Sequence, residues 1–509
     1  MLWNKQMHPL HLLPPGGYFA PCAAVAAGGS EGTTLVPDDR LKPADLLPAI
    51  LRLWKLSAHK IRSLEDTWIH EAGAPVVTVS GRYVCREWTE WTQGFRFGSM
   101  LLQFDATGDA AFLEMGRRGT LQHMVPLLTH AGVHDHGFHT MSTWGNLWRL
   151  VEEGRLSASA WERSIYDTAI RVSGATQARR WTRTKDGGFI HSFNGPHSLF
   201  ADTMRSLRLL ALAHRLGGVL LEEGDRRVLL LERLVLHAQT TAATIVFYGE
   251  GRDVYDTLGR VAHEALFNVT DRSYRCPSTQ QGYSPFTVWT RGLAWVMLGY
   301  SELLQFLDVL DDEEFAPFGG RDRVERFMRK AAQASAFYYL RNTPTDGVPY
   351  WDTGAPGLAN LGNYLERPAD PYNDWEPVDA SAAAIAAQAF LRLGWWLCNR
   401  GATEEWELTA RTCVAAGLTI ARRLLDAPYL AEDEDHQGLL LHCIYHRPRG
   451  WDYTPPGRRV PCGEACMWGD YHMRELALLI QRWAEGMPVP CFFGSVSVPN
   501  SIAEEAGAE

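Results

Sequence analysis

At 509 residues, 46% of them hydrophobic and 21% charged, the chain holds enough apolar material for a large core, which excludes a mainly disordered protein. A net charge of −10 without a basic stripe argues against nucleic-acid binding. No apolar run reaches the roughly 18 residues that a membrane-spanning helix requires.

Residues 1–40 are rich in Pro, Gly and Ala and read as an irregular arm; in "LLPPGGYFAPCAAVAAGG" the apolar run is too interrupted for a good signal peptide. Helical spacing then begins, with elements expected at 43–63 and 97–117 and one strand-like piece, "APVVTVSGRYV" (74–84), between them. "GVHDHGF" (132–138) follows, flanked by His130 and His139. On a helix His130 and His134 would share a face and, with Asp135, His136 and His139, could hold a metal, but Gly132 and Gly137 interrupt a helix and the glutamate of a metalloprotease motif is missing. Hydrogen-bonding or substrate-contacting histidines around Asp135 are the other reading.

A helix is expected at 157–173, then the stripe Phe200, Met204, Leu207 and Ala211, stopped by Gly217-Gly218. Asp202 lies off this stripe near the helix start; it is either a cap or a carboxylate whose pKa apolar neighbours would raise. Further helices are expected at 226–245, along the stripe Leu293, Val296, Tyr300, Leu303 and Leu307, and at 321–340, 380–399, 404–425 and 470–484. In the segment before the stripe, Arg291 and Trp295 are four apart and share the opposite face, with Trp289 and Gln281 approaching from the preceding loop; guanidinium and indole together suit an anionic sugar, or else merely pack on one another. Helix 380–399 has almost no polar face, so it must be buried on all sides. Such helices alternating with amphipathic ones suggest two concentric layers, an all-α toroid at 41–486 followed by a tail at 487–509.

Nineteen Trp and 17 Tyr supply flat faces for sugar rings or bulk for a core. Nine cysteines, an odd number without a C-x-x-C pair, read as reduced thiols in a cytoplasmic protein. No cofactor is expected, and the oligomeric state stays open.

Order and spacing of H-D-x-G-F (134–138), "LFADTMRSL" (199–207), "HE" (263–264), "QGYSPFTVWTRGLAW" (281–295), "VDASAAAIAA" (378–387) and "WGDYH" (468–472) resemble the unsaturated glucuronyl hydrolases of glycoside hydrolase family 88 from about residue 85 onward. The resemblance implies an (α/α)6 toroid of six helical hairpins. It also implies removal of a 4,5-unsaturated uronic acid from lyase-generated oligosaccharides, with Asp202 as general acid and base and Asp135 as its partner carboxylate. By the same matching Trp91, His134, His263, Gln281, Trp289, Arg291 and Trp295 would line the cleft, and no metal is implied. A raised Asp202 pKa, kept up by burial and by Asp135, is expected. His136 replaces a usually apolar residue, and 341–378 is a long insert. Arg86 and Arg96 flank Trp91 as contacts for a further anionic group, or as plain surface charges. A related toroid acting on unsaturated rhamnogalacturonides and a non-catalytic glycan-binding protein remain as alternatives.

Overall fold

The computed structural model describes residues 33–69, 73–86, 90–401, 403–494, 496 and 498. The expected arm therefore lies outside the described residues up to residue 32, as does the tail beyond 498. The described part of the arm, 33–40, is irregular as expected and is tied to the ring: Leu35 is buried, and the amides of Thr34 and Leu35 both donate to Leu340 O.

Among the described residues the long helices pair into six hairpins, each an outer helix followed by an inner one. The outer members are α1 (Leu47–Thr67), α3 (Ala110–His123), α5 (Ala160–Arg179), α8 (Leu230–Thr244), α10 (Arg321–Arg341) and α12 (Glu404–Leu424). The inner ring holds α2 (Glu90–Thr107) and α4, a run of His136–Thr140, a π-turn at Met141–Gly145 and Asn146–Glu152. The short pair α6 (Thr203–Ser206) and α7 (Arg208–Arg215), then α9 (Thr290–Leu307), α11 (Ala380–Arg400) and α13 (Met467–Ala484), complete it. Contacts run α2 to α4, α4 to α6 and α7, α6 to α9, α9 to α11, α11 to α13, and α13 back to α2, so the ring closes. This is an (α/α)6 toroid.

Composition explains the layers. Every residue of α9 is buried, and α11 is buried from Ala380 to Leu397, as its lack of a polar face requires. Close approach of inner helices depends on glycine: a Cβ at Gly137 would collide with the backbone of Ser206, and one at Gly299 would lie 2.6 Å from the carbonyl carbon of Met204. Of the expected helices, 97–117 is two. Gly108 adopts a φ of 73° that favours glycine, and the Asp109 carboxylate accepts from Ala111 N at 3.0 Å to start the next helix. The expected helix 226–245 likewise begins as strand, Arg226–Leu229 pairing antiparallel with Val219–Glu222. Ser198–Phe200 is also a strand, the edge of a three-stranded antiparallel sheet with Glu264–Phe267 in the middle.

Every segment that leads from an outer to an inner helix opens on one end of the ring, so the N-termini of the inner helices gather there. At the other end Phe492 and Phe493 are buried, and Arg392 Nη2 donates to Pro490 O at 3.0 Å. No helix among the described residues is long and apolar enough to cross a membrane.

Candidate active site

The end of the ring where the inner N-termini gather holds a cavity of about 360 Å3. At its base His134 stands between two carboxylates: its Nε2 is 3.7 Å from Asp135 Oδ1 and 3.6 Å from Asp202 Oδ1. Local chemistry fixes each group. The tight packing of Gly137 on Ser206, whose hydroxyl oxygen accepts from Gly137 N at 2.7 Å, lets the turn carrying Asp135 reach the base of the helix carrying Asp202. Gln177 Nε2 donates to both Ser206 Oγ and His134 O. Asp202 occupies the N-cap position of α6 but makes no capping bond, so the cap reading is not realised.

The histidines divide by role. His134 is not on a helix with His130. His136 is tied down, with Nδ1 2.7 Å from Ser173 Oγ and Nε2 2.9 Å from His130 O, as a support for the turn. His134, Asp135 and Asp202 bring their donor atoms within 4.8 Å of one another, a set that would accept a proton or a small cation alike.

Electrostatics reverse one expectation. Burial alone would raise the Asp202 carboxyl, but the His134 imidazole beside it holds it below its ordinary value. Burial likewise disfavours charge on His134, yet Asp135 and Asp202 together raise its pKa. Each of these two groups thus favours the charged form of the other, which is opposite in direction to the raised Asp202 pKa expected from Asp135.

Of the other expected residues, Trp91, Gln281, Trp289, Arg291 and Trp295 also line the cavity. Trp91 stacks on Trp468 at 5.0 Å, and Trp295 lies 4.9 Å from Phe138. One assignment needs correction, and one residue is found more heavily engaged than expected. His263 is buried behind Trp289, 4.8 Å from its ring, and its Nδ1 accepts from Gln280 N at 2.9 Å, so it supports the wall without lining it. Arg291 lines the cavity, but its charge is already matched: Nη1 is 3.0 Å from Asp379 Oδ2 and also donates to Ile444 O, while Nη2 donates to Gln281 Oε1 at 3.0 Å and Tyr445 O at 2.7 Å. It braces three segments. Arg86 holds Trp451 O at 3.1 Å, and Arg96 is buried against Glu65, so Arg96 does not reach the cavity.

Sequence reasoning missed one wall altogether. Tyr445, His446, Arg449 and Trp451 come from the irregular segment before α13 and close the side facing Trp91. Asp452 organises this wall by accepting from His446 N at 3.1 Å and from Tyr445 N. Phe193, half-exposed, forms a lip 6.1 Å from the His134 ring. The only signal in the sequence was the aromatic and basic content of "IYHRPRGWDY".

Buried neutral imidazoles beneath the site give an acid-sensitive fold. Burial pushes His136 and His263 down to about 4, and His237 and His472 to about 3. Each takes its proton more readily when unfolded, so stability falls as pH drops from the ordinary 6.5 toward 4. His134 acts oppositely: its contribution is complete below 6.5 and is lost as pH rises through its raised pKa. Four groups outweigh one. Thermal melts should show a midpoint that declines steadily from pH 6.5 to pH 4; a flat profile would mean that these imidazoles are solvated.

No family model matches the chain. The unsaturated glucuronyl hydrolase of Bacillus sp. (strain GL1) is 24% identical over 443 residues, covering 85% of this chain and 95% of that protein. The unsaturated chondroitin disaccharide hydrolase of Streptococcus pyogenes serotype M1 is 23% identical over 452 residues, 87% and 92% of the two chains. Among solved structures, the Bacillus sp. GL1 unsaturated glucuronyl hydrolase aligns with a TM-score of 0.62 at 22% identity, over 86% of this chain and 97% of that one. An unsaturated glucuronyl hydrolase specific for heparin aligns with the same TM-score at 18% identity, over 86% and 97%. The chain is similar to these enzymes along most of its length and shares their toroidal fold.

Proposed function

We propose that this protein is a glycoside hydrolase that removes a 4,5-unsaturated uronic acid from the non-reducing end of oligosaccharides left by polysaccharide lyases. The observation that carries the reading is the pair of carboxylates, Asp135 and Asp202, joined through His134 at the base of a cavity walled by tryptophans. Binding alone would not require a proton shared by three titratable groups. Indole faces suit a flattened, partly unsaturated ring, and the gathered N-termini of the inner helices favour its carboxylate.

The double bond of such a sugar is an enol ether. Protonation of C4 leaves positive charge shared by C5 and the ring oxygen; water adds at C5, and the resulting hemiketal opens and releases the rest of the glycan. Asp202 is the general acid and base. Its proton comes from His134: a substrate that expels water favours the neutral pair, carboxylic acid and imidazole, over the ion pair of the free site. Asp202 then takes a proton from the attacking water, and Asp135 keeps the imidazole oriented. His134 is therefore a positioning group and proton store. Free thiols at every described cysteine fit the reducing cytoplasm.

Loss of absorbance of the conjugated double bond tests the reading, on unsaturated disaccharides from chondroitin, heparin, hyaluronan, ulvan, pectin and xanthan lyases, with and without a chelator. Decay with at least one of them, undiminished by chelation, is expected. No decay with any substrate from folded protein would overturn the hydration chemistry, and decay abolished by chelation would assign His134, Asp135 and Asp202 to a cation.

A further inference from the structure

Where the ring closes, α1 from the first hairpin packs beside α2 and α13, and a second, much smaller cavity of about 20 Å3 lies between them. A space of this size takes one water-sized particle and excludes sulfate or phosphate. Three cations line it, Lys60, Arg96 and Arg474, against one carboxylate, Asp470, and each of the four is at least 97% buried. Glu65 offsets Arg96 from outside the lining, and Asp470 faces Arg474 at 3.8 Å. Lys60 makes no ion pair among the described residues, and Asp433 and Glu434 act on it only from outside the lining, so the cavity wall itself carries cations in excess.

The hydrogen bonding has the same bias. Asp470 is already occupied, accepting from Tyr83 Oη at 2.9 Å and from the amides of Leu439 and Leu440. The Gln437 carbonyl oxygen accepts from Tyr83 N, and Ser99 Oγ accepts from Arg474 Nη1 at 3.3 Å, which leaves the Ser99 hydroxyl proton to donate. Lys60 Nζ donates to the carbonyls of Asp433 and His436 and has a third proton. Arg96 Nη1, buried, has no hydrogen-bond partner among the described residues. A water here would find donors in excess and few acceptors for its own protons.

We infer that this cavity is a binding site for a monatomic halide, which ties the first hairpin to the last and closes the ring. Burial lowers the pKa of Lys60, Arg96 and Arg474, a cost that a resident anion would offset. The site is separate from the sugar cavity but adjoins its wall, since Arg96 lies on the helix of Trp91 and Met467 precedes Trp468.

The test is a thermal melt of the full chain in increasing bromide, with gluconate holding ionic strength constant, together with anomalous diffraction from bromide-soaked crystals. Ligand linkage in a chain of this size predicts a midpoint rise of about 1.4 °C at a bromide concentration roughly tenfold above its dissociation constant. The crystals should show a bromide peak between Arg96 and Arg474. Ser99→Ala should at least halve the bromide-dependent rise on top of a midpoint in gluconate lowered by about 1–3 °C, because Arg474 Nη1 loses its acceptor, and Lys60→Met, if it folds, should abolish the rise. Equal midpoints in bromide and gluconate, or no anomalous peak in the cavity, would show a water-filled space and overturn the inference.

Discussion

Asp202→Asn is expected to lower turnover of an unsaturated disaccharide by about 10²–10⁴-fold, the range of a positioned general acid and base, while leaving the protein folded. Asparagine keeps the shape of the side chain and loses the proton. The pocket should therefore still bind the sugar, with a dissociation constant within a few-fold of wild type, read from the fluorescence of Trp91, Trp289, Trp295 and Trp451, which all line the cavity. A second readout separates a chemical role from a structural one. His134 owes part of its raised pKa to Asp202, so its titration should move down in the variant. A wild-type rate in folded Asp202→Asn protein would remove Asp202 from the chemistry.

The second large effect concerns stability. Arg291→Met should destabilise the fold by about 3–5 kcal/mol, because it strands the wholly buried Asp379 without its counter-charge. It also leaves Ile444 O and Tyr445 O without their donor. The measurement is a urea midpoint that falls at unchanged slope. Asp379→Asn in the same chain should recover part of the loss, since two neutral groups are cheaper to bury than one lone charge. Arg291→Lys should fall between the two, as an ammonium cannot span the four acceptors that the guanidinium reaches. If Arg291→Met kept full stability and only raised KM, the guanidinium would be a free cation waiting for substrate, which was the sequence expectation.

That contrast shows where the sequence was legible. The closed inner ring could be read from α11, whose run of alanines leaves no face for water, and Asp135, Asp202 and the tryptophans were marked by short motifs that the cavity does bring together. Arg291 was placed on the pocket side of its helix, and the alternative that it packs on an indole matches its seat 4.6 Å over the Trp289 ring, but its ion pair was not foreseen. Its partner Asp379 lies 88 positions away in the chain, and nothing local announces an ion pair of that kind. His263 was misplaced for a similar reason: one residue before a central strand, it points behind Trp289 rather than past it. The wall made by Tyr445, His446 and Trp451 was invisible because an irregular segment has no period to betray which side chains face inward. The break at Gly108 and Asp109 was available to sequence reasoning, a glycine followed by a strong helix cap, and the apolar spacing on either side concealed it.

The two ends of the toroid differ in what a change of length would do. At the far end α2 and α3 are joined by Gly108 and Asp109 alone, so one inserted residue would slide a helix against its neighbours by about 1.5 Å and disturb packing around the whole ring. At the sugar end the connections run through long segments such as 342–379 and 425–466, where residues can be gained or lost while the helices stay in place. Substrate range can therefore be rewritten at the sugar end, and a graft of segment 445–453 from a relative with another glycan preference should be absorbed as long as it keeps Asp452 and the backbone that Arg291 holds.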